Sequence, residues 1–468
     1  MSDPRTRRDF MRWTAAGMAA VAAVPAQGAP AGDIHVRLTA GAKRYAEEPP
    51  LPWQAAAGPS MGAIVLDPRT THQEVLGFGA AFTDAACYTL KRLPPAAREG
   101  LLRELFHPSE MGLSVCRTCI GSSDYSTSVY SFDDGVADPQ LRRFSIMHDL
   151  VDILPMLRQA RQVNPGLFLF SSPWSPPGWM KAGGSMLGGS MRKSSFAVYA
   201  RYLVKFLQAY QAEGVAIDAI TSQNEVDTDQ DGKMPACLWG QEYEIEFVAK
   251  HLGPEFARNS LATKIWILDH NYDLWGRALC TLDAPGVGQY VDGVAWHGYG
   301  GKPEAMTRVH EAHPDKHAYW TEGGPDVTDP AYLTDWTKWS ATFAGILRNW
   351  ARCIVGWNLA LDEKGWPNIG PFPCGGLVTI HSQTQEILRS GQYWAFAHYS
   401  RAIRRGARRI GSEGVIEKVS HAAFANPDGS TALVLTNAGA ERKVRLELAG
   451  RMAEVALPAD SVATLTWS

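Results

Sequence analysis

The sequence predicts an α/β protein, a (β/α)8 barrel joined to a β-sandwich that draws on both chain ends, and three observations lead there. Apolar, strand-like runs alternate with amphipathic helical runs eight times between residues 73 and 405. Residues 406–468 instead hold short strand-like segments separated by turn residues. Ile34-His35-Val36-Arg37-Leu38-Thr39 is a similar strand too far upstream to belong to the barrel, so residues 33–72 go with the same β-module. A chain of 468 residues has room for one barrel of about 250 residues and an accessory domain.

The barrel strands are expected at residues 73–82, 114–121, 167–174, 216–225, 264–270, 291–299, 317–322 and 353–361. Between them, residues 145–163, 196–213, 242–252 and 333–351 carry apolar side chains three and four apart, the spacing of one helix face. An open doubly wound sheet is the alternative. No G-x-G-x-x-G turn follows the first strand, and eight strands favour closure. Near the C-terminus, residues 431–436 and 444–448 read as short strands, and Asn426-Pro427-Asp428-Gly429 reads as a turn.

Composition narrows the function. With 45% hydrophobic and 20% charged residues the chain can bury a large core. Its formal charge of -3 and the absence of a basic run interleaved with aromatics make nucleic acid an unexpected partner. Sixteen Trp residues fit core packing and also sugar stacking. Arg7-Arg8-Asp9-Phe10 ahead of a weakly apolar, Ala-rich stretch reads as a twin-arginine export signal over residues 1–26. The predicted location is therefore periplasmic or secreted. The apolar run before Pro25 falls short of the ~20 residues that span a membrane, so no integral span is expected in the mature chain. Seven cysteines form no regular framework. Cys116 and Cys119 lie three apart on a predicted strand, on opposite faces, and are not expected to share a metal.

A parallel barrel places its site where strands run into their following loops, and two strands deliver a glutamate there. The fourth ends Thr221-Ser222-Gln223-Asn224-Glu225, and the seventh ends Tyr319-Trp320-Thr321-Glu322. A lone strand-end Glu is commonly a solvated loop residue, but a pair on strands four and seven suits retaining glycoside cleavage, which needs two carboxyls about 5 to 5.5 Å apart. Glu225 is then the acid/base and Glu322 the nucleophile. The charge on Glu322 is expected to raise the pKa of Glu225 and keep it protonated for the first step.

Six segments in register carry a resemblance: Gln73 through Asp84, Ser172 through Lys181, Gln223-Asn224-Glu225, Trp296-His297-Gly298-Tyr299, Thr321-Glu322 and Trp357 through Asp362. Together they resemble glycoside hydrolase family 30 and, within it, the glucosylceramidase-like enzymes. The resemblance implies an exo-acting retaining β-glycosidase hydrolysing β-glucosides, with a carbohydrate or glycoconjugate as substrate and no metal or organic cofactor. It assigns Asp84 and Trp174 to the outer hydroxyls of the terminal sugar and Trp357 to its ring. Asn224 is assigned to the 2-hydroxyl, Arg117 to orienting the nucleophile, and His297 and Tyr299 to places beside Glu322. No second His or carboxylate is expected at metal spacing from His297. The loop at Gly365-Trp366-Pro367-Asn368-Ile369-Gly370-Pro371-Phe372-Pro373-Cys374 departs from the family pattern, so the leaving-group preference is not carried over. An endo-β-1,6-glucanase, a β-xylosidase and a non-catalytic carbohydrate-binding protein are the competing expectations.

Overall fold

The structure, a computed structural model, describes residues 32–56, 58 and 62–468. The export-signal reading of residues 1–26 lies outside the described residues. Four strands come first, β1 (Ile34–Ala40), β2 (Lys43–Leu51), β3 (Gln54–Ala55) and β4 (Ala63–Glu74). Eight parallel strands then close a barrel: β5 (Gly77–Phe82), β6 (Val115–Ile120), β7 (Phe168–Pro173), β8 (Ala219–Thr221), β9 (Lys264–Asn271), β10 (Val291–His297), β11 (His317–Glu322) and β12 (Ala351–Asn358). Closure comes from β12 pairing with β5. A small sheet of β13 (Ala360–Leu361), β14 (Val378–Ile380) and β15 (Ile387–Arg389) follows.

The last strands are β16 (Arg408–Glu413), β17 (Val419–Ala425), β18 (Thr431–Asn437), β19 (Arg442–Leu448), β20 (Arg451–Leu457) and β21 (Ser461–Trp467). They join β1 to β4 in one ten-stranded sheet, with β1 beside β21 and β4 between β16 and β19. Both chain ends thus build the sandwich around a core that includes Ile34, Ile64, Leu433, Leu446 and Leu465.

All eight expected barrel strands form, with one local difference among the strands and one in a helix. The run that begins at Gln73 is two strands: Gln73 and Glu74 finish β4 in the sandwich, where Glu74 pairs with Arg408, and the barrel strand starts at Gly77. The expected helix over 145–163 begins only at Ile153. A helix running through from residue 145 would hold Pro155 in its interior, without an N–H and against the preceding turn. Starting at Ile153 puts Pro155 in the first turn, where its missing N–H costs nothing. The helix Phe196–Ala212 shows the expected pattern, with Tyr199, Leu203, Phe206, Leu207 and Tyr210 buried along one face. At Gly79 a side chain would meet the Val115 carbonyl at 1.7 Å, so glycine is what lets β5 and β6 approach. Cys116 packs on the helix side of β6 and Cys119 on its inner side, on opposite faces.

Two helices hold the sandwich to the barrel. From Trp336–Arg348, Trp336 donates to the Asp460 carbonyl at 3.0 Å. From Gly391–Ser400, the buried imidazole of His398 bonds Thr39 and Thr464, each at 2.8 Å. Burial and the nearby Arg401 push His398 down to about 3, so it sits neutral between two hydroxyls. His398→Phe would remove one bond from each hydroxyl, Thr39 keeping Tyr45 N and Thr464 the residue 398 carbonyl, and should lower the unfolding free energy by about 2 kcal/mol at pH 7, read by chemical denaturation. A neutral buried histidine that ionises on unfolding makes stability fall as pH drops from about 6.5 toward 3. The variant should lose stability less steeply than the parent over that window. Equal slopes would show that His398 is not the group concerned.

Candidate active site

Inside the barrel the lower half is plugged by Val115, Phe170, Ala219, Trp266, Ala295, Tyr319, Cys353 and Val355. Above that plug the inward residues turn polar and converge on Asp269. Its Oδ2 accepts from Arg117 Nη2 at 2.8 Å, Ser172 Oγ at 2.7 Å and Thr221 Oγ1 at 2.7 Å. Its Oδ1 bonds His297 Nε2 at 2.9 Å and Thr321 Oγ1 at 2.7 Å. Burial alone would favour the neutral acid, yet Arg117, His297 and Ser172 hold this carboxyl far below the usual carboxylate range.

A bulge in β9 makes this possible. Ala295 of β10 faces Leu268 and Trp296 faces His270, which leaves Asp269 as the extra residue, and Leu268 and Asp269 have φ of 72° and 48°. With Trp266 pointing inward, strict alternation would send Leu268 inward and Asp269 out. The bulge reverses the two.

The two strand-end glutamates stand over this base. Arg117 is fully buried and its guanidinium bonds Glu322 Oε2, with Asn224 Oδ1 at 2.6 Å on its other arm. Tyr299 donates to Glu322 Oε1 at 3.1 Å. Glu225 sits in a left-handed backbone conformation, φ 51°, tied by its N–H to the Asp269 carbonyl at 3.0 Å. One imidazole reaches both acids: His297 Nδ1 lies 3.3 Å from Glu225 Oε1, and Nε2 lies 3.8 Å from Glu322 Oε2. Burial would lower the His297 pKa, but Glu322, Asp269 and Glu225 raise it to about 9.

The expected upward shift of Glu225 is not found. Burial pushes Glu225 up, but the His297 hydrogen bond and the charges of His270 and His297 outweigh it and hold the carboxyl below its usual range. The sequence-based expectation counted the neighbouring glutamate and missed two imidazoles.

Glu225, Glu322, Asn224, Trp174, Tyr299 and Trp357 line one cavity of about 440 Å³. Trp174 and Trp357 stack with centroids 5.1 Å apart, and Arg117 lies 4.6 Å from the Trp174 ring centroid, which stiffens that wall. Arg117 and His297 lie beneath the cavity floor and act through Glu322 and Glu225. Asp84 is elsewhere. It is 3% exposed in the first turn of helix Asp84–Lys91, accepts from Thr127 N and Oγ1 at 2.7 Å each, and lies 3.1 Å from His148 Nε2. Thr83, not Asp84, caps that helix. Asp124 does line the cavity, and its buried Oδ1 has no partner among the described residues.

Asp124, Asp269, His270 and Gln230 belong to the site and were not expected from sequence. The polar residue seven positions after Arg117 was the available signal for Asp124. His297 also has the company it was not expected to have: ligand atoms of Glu225, His270 and His297 all lie within 4.8 Å of one another. Hydrogen bonding accounts for this grouping, because His297 is shared between Asp269 and Glu225, and His270 Nε2 lies 2.6 Å from Asp227.

Comparison with known proteins agrees with this fold. The profile of the glycosyl hydrolase family 30 TIM-barrel domain matches residues 75–403, and that of the family's β-sandwich domain matches residues 406–465. An endo-1,6-beta-D-glucanase of Neurospora crassa is 33% identical over 79% of this chain and 80% of its own length. The lysosomal acid glucosylceramidase of Mus musculus is 29% identical over 81% of this chain and 78% of its own. A solved endo-beta1,6-glucanase superposes with a TM-score of 0.84 at 30% identity, covering 93% of this chain and 100% of that one.

The placement of Asp84 has a direct test. Asp84→Ala should cost roughly 2 kcal/mol of stability through its lost buried hydrogen bonds. It should slow aryl β-glucoside and aryl β-xyloside hydrolysis by the same factor. A loss confined to glucosides would return Asp84 to the sugar-binding wall.

Proposed function

The chain belongs to glycoside hydrolase family 30, and on that premise we propose that it cleaves β-1,6-linked glucan by double displacement, with Glu322 as nucleophile and Glu225 as acid/base. The observation that carries the mechanism is the pair of strand-end carboxylates spanned by one imidazole. The fungal and solved β-1,6-glucanase relatives favour this substrate over the exo-acting, glucosylceramidase-like reading.

In the first step a Glu322 oxygen attacks the anomeric carbon while Glu225 gives its proton to the departing glycosidic oxygen. Arg117 and Tyr299, bonded to the two Glu322 oxygens, aim that carboxylate. In the second step Glu225 takes a proton from water as the water oxygen displaces Glu322. The part of the cavity walled by Trp174, Trp357 and Asp124 takes the ring under attack, and the Asp124 carboxyl, unpaired at Oδ1 among the described residues, bonds one of its hydroxyls. Asn224, whose oxygen is taken by Arg117, keeps its amide N–H free to donate there.

Two measurements test this. Incubation with β-1,6-glucan should release a ladder of short oligosaccharides, and Asp124→Asn should reduce that cleavage by about tenfold or more. Cleavage of glucosylceramide but not of the glucan would overturn the substrate proposal. Glu225→Ala should lose roughly 100- to 10,000-fold on poor leaving groups, far less on 2,4-dinitrophenyl β-glucoside, and should be rescued by azide to the β-glycosyl azide. Glu322→Ala with azide should give the α-azide. The opposite pattern of anomers, read by NMR, would exchange the two roles.

A further inference from the structure

Gln230 is a cavity residue that the two steps above leave unused. It follows Glu225 on the loop after β8, is half-buried, and lines the cavity beside that glutamate. Its Nε2 donates to Glu225 Oε2 at 2.8 Å, and among the described residues this is the side chain's one hydrogen bond. A carboxylate only accepts, so the amide nitrogen rather than its oxygen faces Glu225. The backbone bends sharply to bring the side chain back. Gln230 and Asp231 each have φ of 51°, and Gly232 follows at 69°. The Thr228 hydroxyl accepts from Gln230 N at 3.1 Å and the Asp229 carboxylate from Asp231 N at 3.2 Å, which fixes the bend. Two consecutive non-glycine residues in left-handed conformations persist only where their surroundings impose them, and such backbone gathers at functional sites.

The two oxygens of Glu225 have different company. Oε1 faces His297 Nδ1 at 3.3 Å and His270 Nδ1 at 3.6 Å. His297 is an imidazolium at neutral pH whose Nε2 serves Asp269, so its Nδ1–H points at Oε1, and a second proton there would meet it head-on. Oε2 faces a neutral amide instead, which makes it the oxygen for the transferable proton. The other ionisable groups about Glu225 are Asp269, Glu322, Asp124 and Tyr299, and none of them bonds Oε2 among the described residues. Asp231, on the same loop as Gln230, is turned to Lys233. We propose that Gln230 is a positioning residue for the acid/base, its amide holding Glu225 Oε2 in place while that oxygen gives its proton to the departing glycosidic oxygen. A hydrogen bond to a carboxylate is roughly twice as strong as one to the neutral acid, so the contact strengthens as the proton leaves and favours the transfer. Burial raises the Glu225 pKa, and this bond joins His297 and His270 in holding it below its usual range. The proposal rests on Glu225 as the acid/base, which the azide rescue of Glu225→Ala decides separately.

The test uses two aryl glucosides, since phenol must be protonated to leave and 2,4-dinitrophenol need not be. Gln230→Met keeps the length of the side chain and removes the amide. Its kcat/KM should fall about tenfold on phenyl β-glucoside and stay within about twofold on 2,4-dinitrophenyl β-glucoside. The Glu225 carboxyl, followed by 13C NMR in glutamate-labelled enzyme and identified by its absence from Glu225→Gln, should titrate about one unit higher in Gln230→Met, because a donor to its charged form is gone. Gln230→Lys supplies a donor again and should bring the titration back to the parent's or below. Gln230→Glu supplies a like charge and should raise it beyond that of Gln230→Met. Equal losses on the two glucosides, or a Glu225 titration unmoved in Gln230→Met, would overturn the proposal while normal azide rescue left the acid/base reading standing. Azide rescue with the two anomers exchanged would instead sink that reading, and the role of Gln230 with it.

Discussion

The site depends on one buried carboxylate. Asp269 is fully enclosed and collects bonds from Arg117, Ser172, Thr221, His297 and Thr321, which come from β6, β7, β8, β10 and β11. A carboxylate taken out of water survives only where donors replace its hydration, and here five do so. The same bonds set the bearing of the catalytic groups. Arg117 is turned to Glu322, His297 is fixed under both acids, and the Asp269 carbonyl pins Glu225 in a strained backbone conformation. Losing this side chain would leave Arg117, His297 and three buried hydroxyls without the one acceptor they share, so fold and site geometry would fail together.

Above this base the cavity wall comes from long loops, and a second buried group orders them. The Tyr125 hydroxyl donates to the Phe372 carbonyl at 2.7 Å and accepts from Cys374 N at 2.7 Å. Ile369 N donates to the Asp124 carbonyl at 2.7 Å. The loop after β6 and the loop after β13 thus clamp each other, and Asp124 reaches the cavity from between them. A stiff mouth built this way explains how the departure from the family pattern at residues 365–374 shapes the outer end of the cavity while the inner end stays set by the strands.

Sequence patterning made the barrel legible because each strand is bounded by its own helix or turn, and the strand-end glutamates because parallel barrels keep chemistry at that edge. Residues that depend on departures from regular geometry were hidden. Asp269 sits on the wrong face of β9 by strict alternation, and only a bulge with two left-handed residues turns it inward. Asp84 and Asp124 both follow strand ends, and nothing local tells that Asp84 is held by Thr127 and His148 of the next connection while Asp124 reaches the cavity. The sandwich took Gln73 and Glu74 because a polar, outward-alternating end pairs equally well with a sandwich strand or a barrel strand.

On the proposed double displacement, the charge balance of the site separates the two chemical steps. Around the cavity floor stand Arg117 and His297, the latter protonated at neutral pH with its pKa raised to about 9, against Asp269, Glu322 and Glu225. With His297 donating to it, Glu225 is held as a carboxylate in the free enzyme, the form needed to draw a proton from water in the second step. The first step needs the opposite form. A sugar filling the cavity removes water from Glu225 and brings the glycosidic oxygen against it, and both changes favour the protonated acid. Once Glu322 is esterified its charge is gone, one reason for His297 to remain an imidazolium weakens, and the repulsion on Glu225 relaxes toward the carboxylate again. On that proposal, protonation of Glu225 is a consequence of substrate binding. His297, bonded to Asp269 and Glu225 and within 4 Å of Glu322, is the residue through which the three carboxylates sense one another.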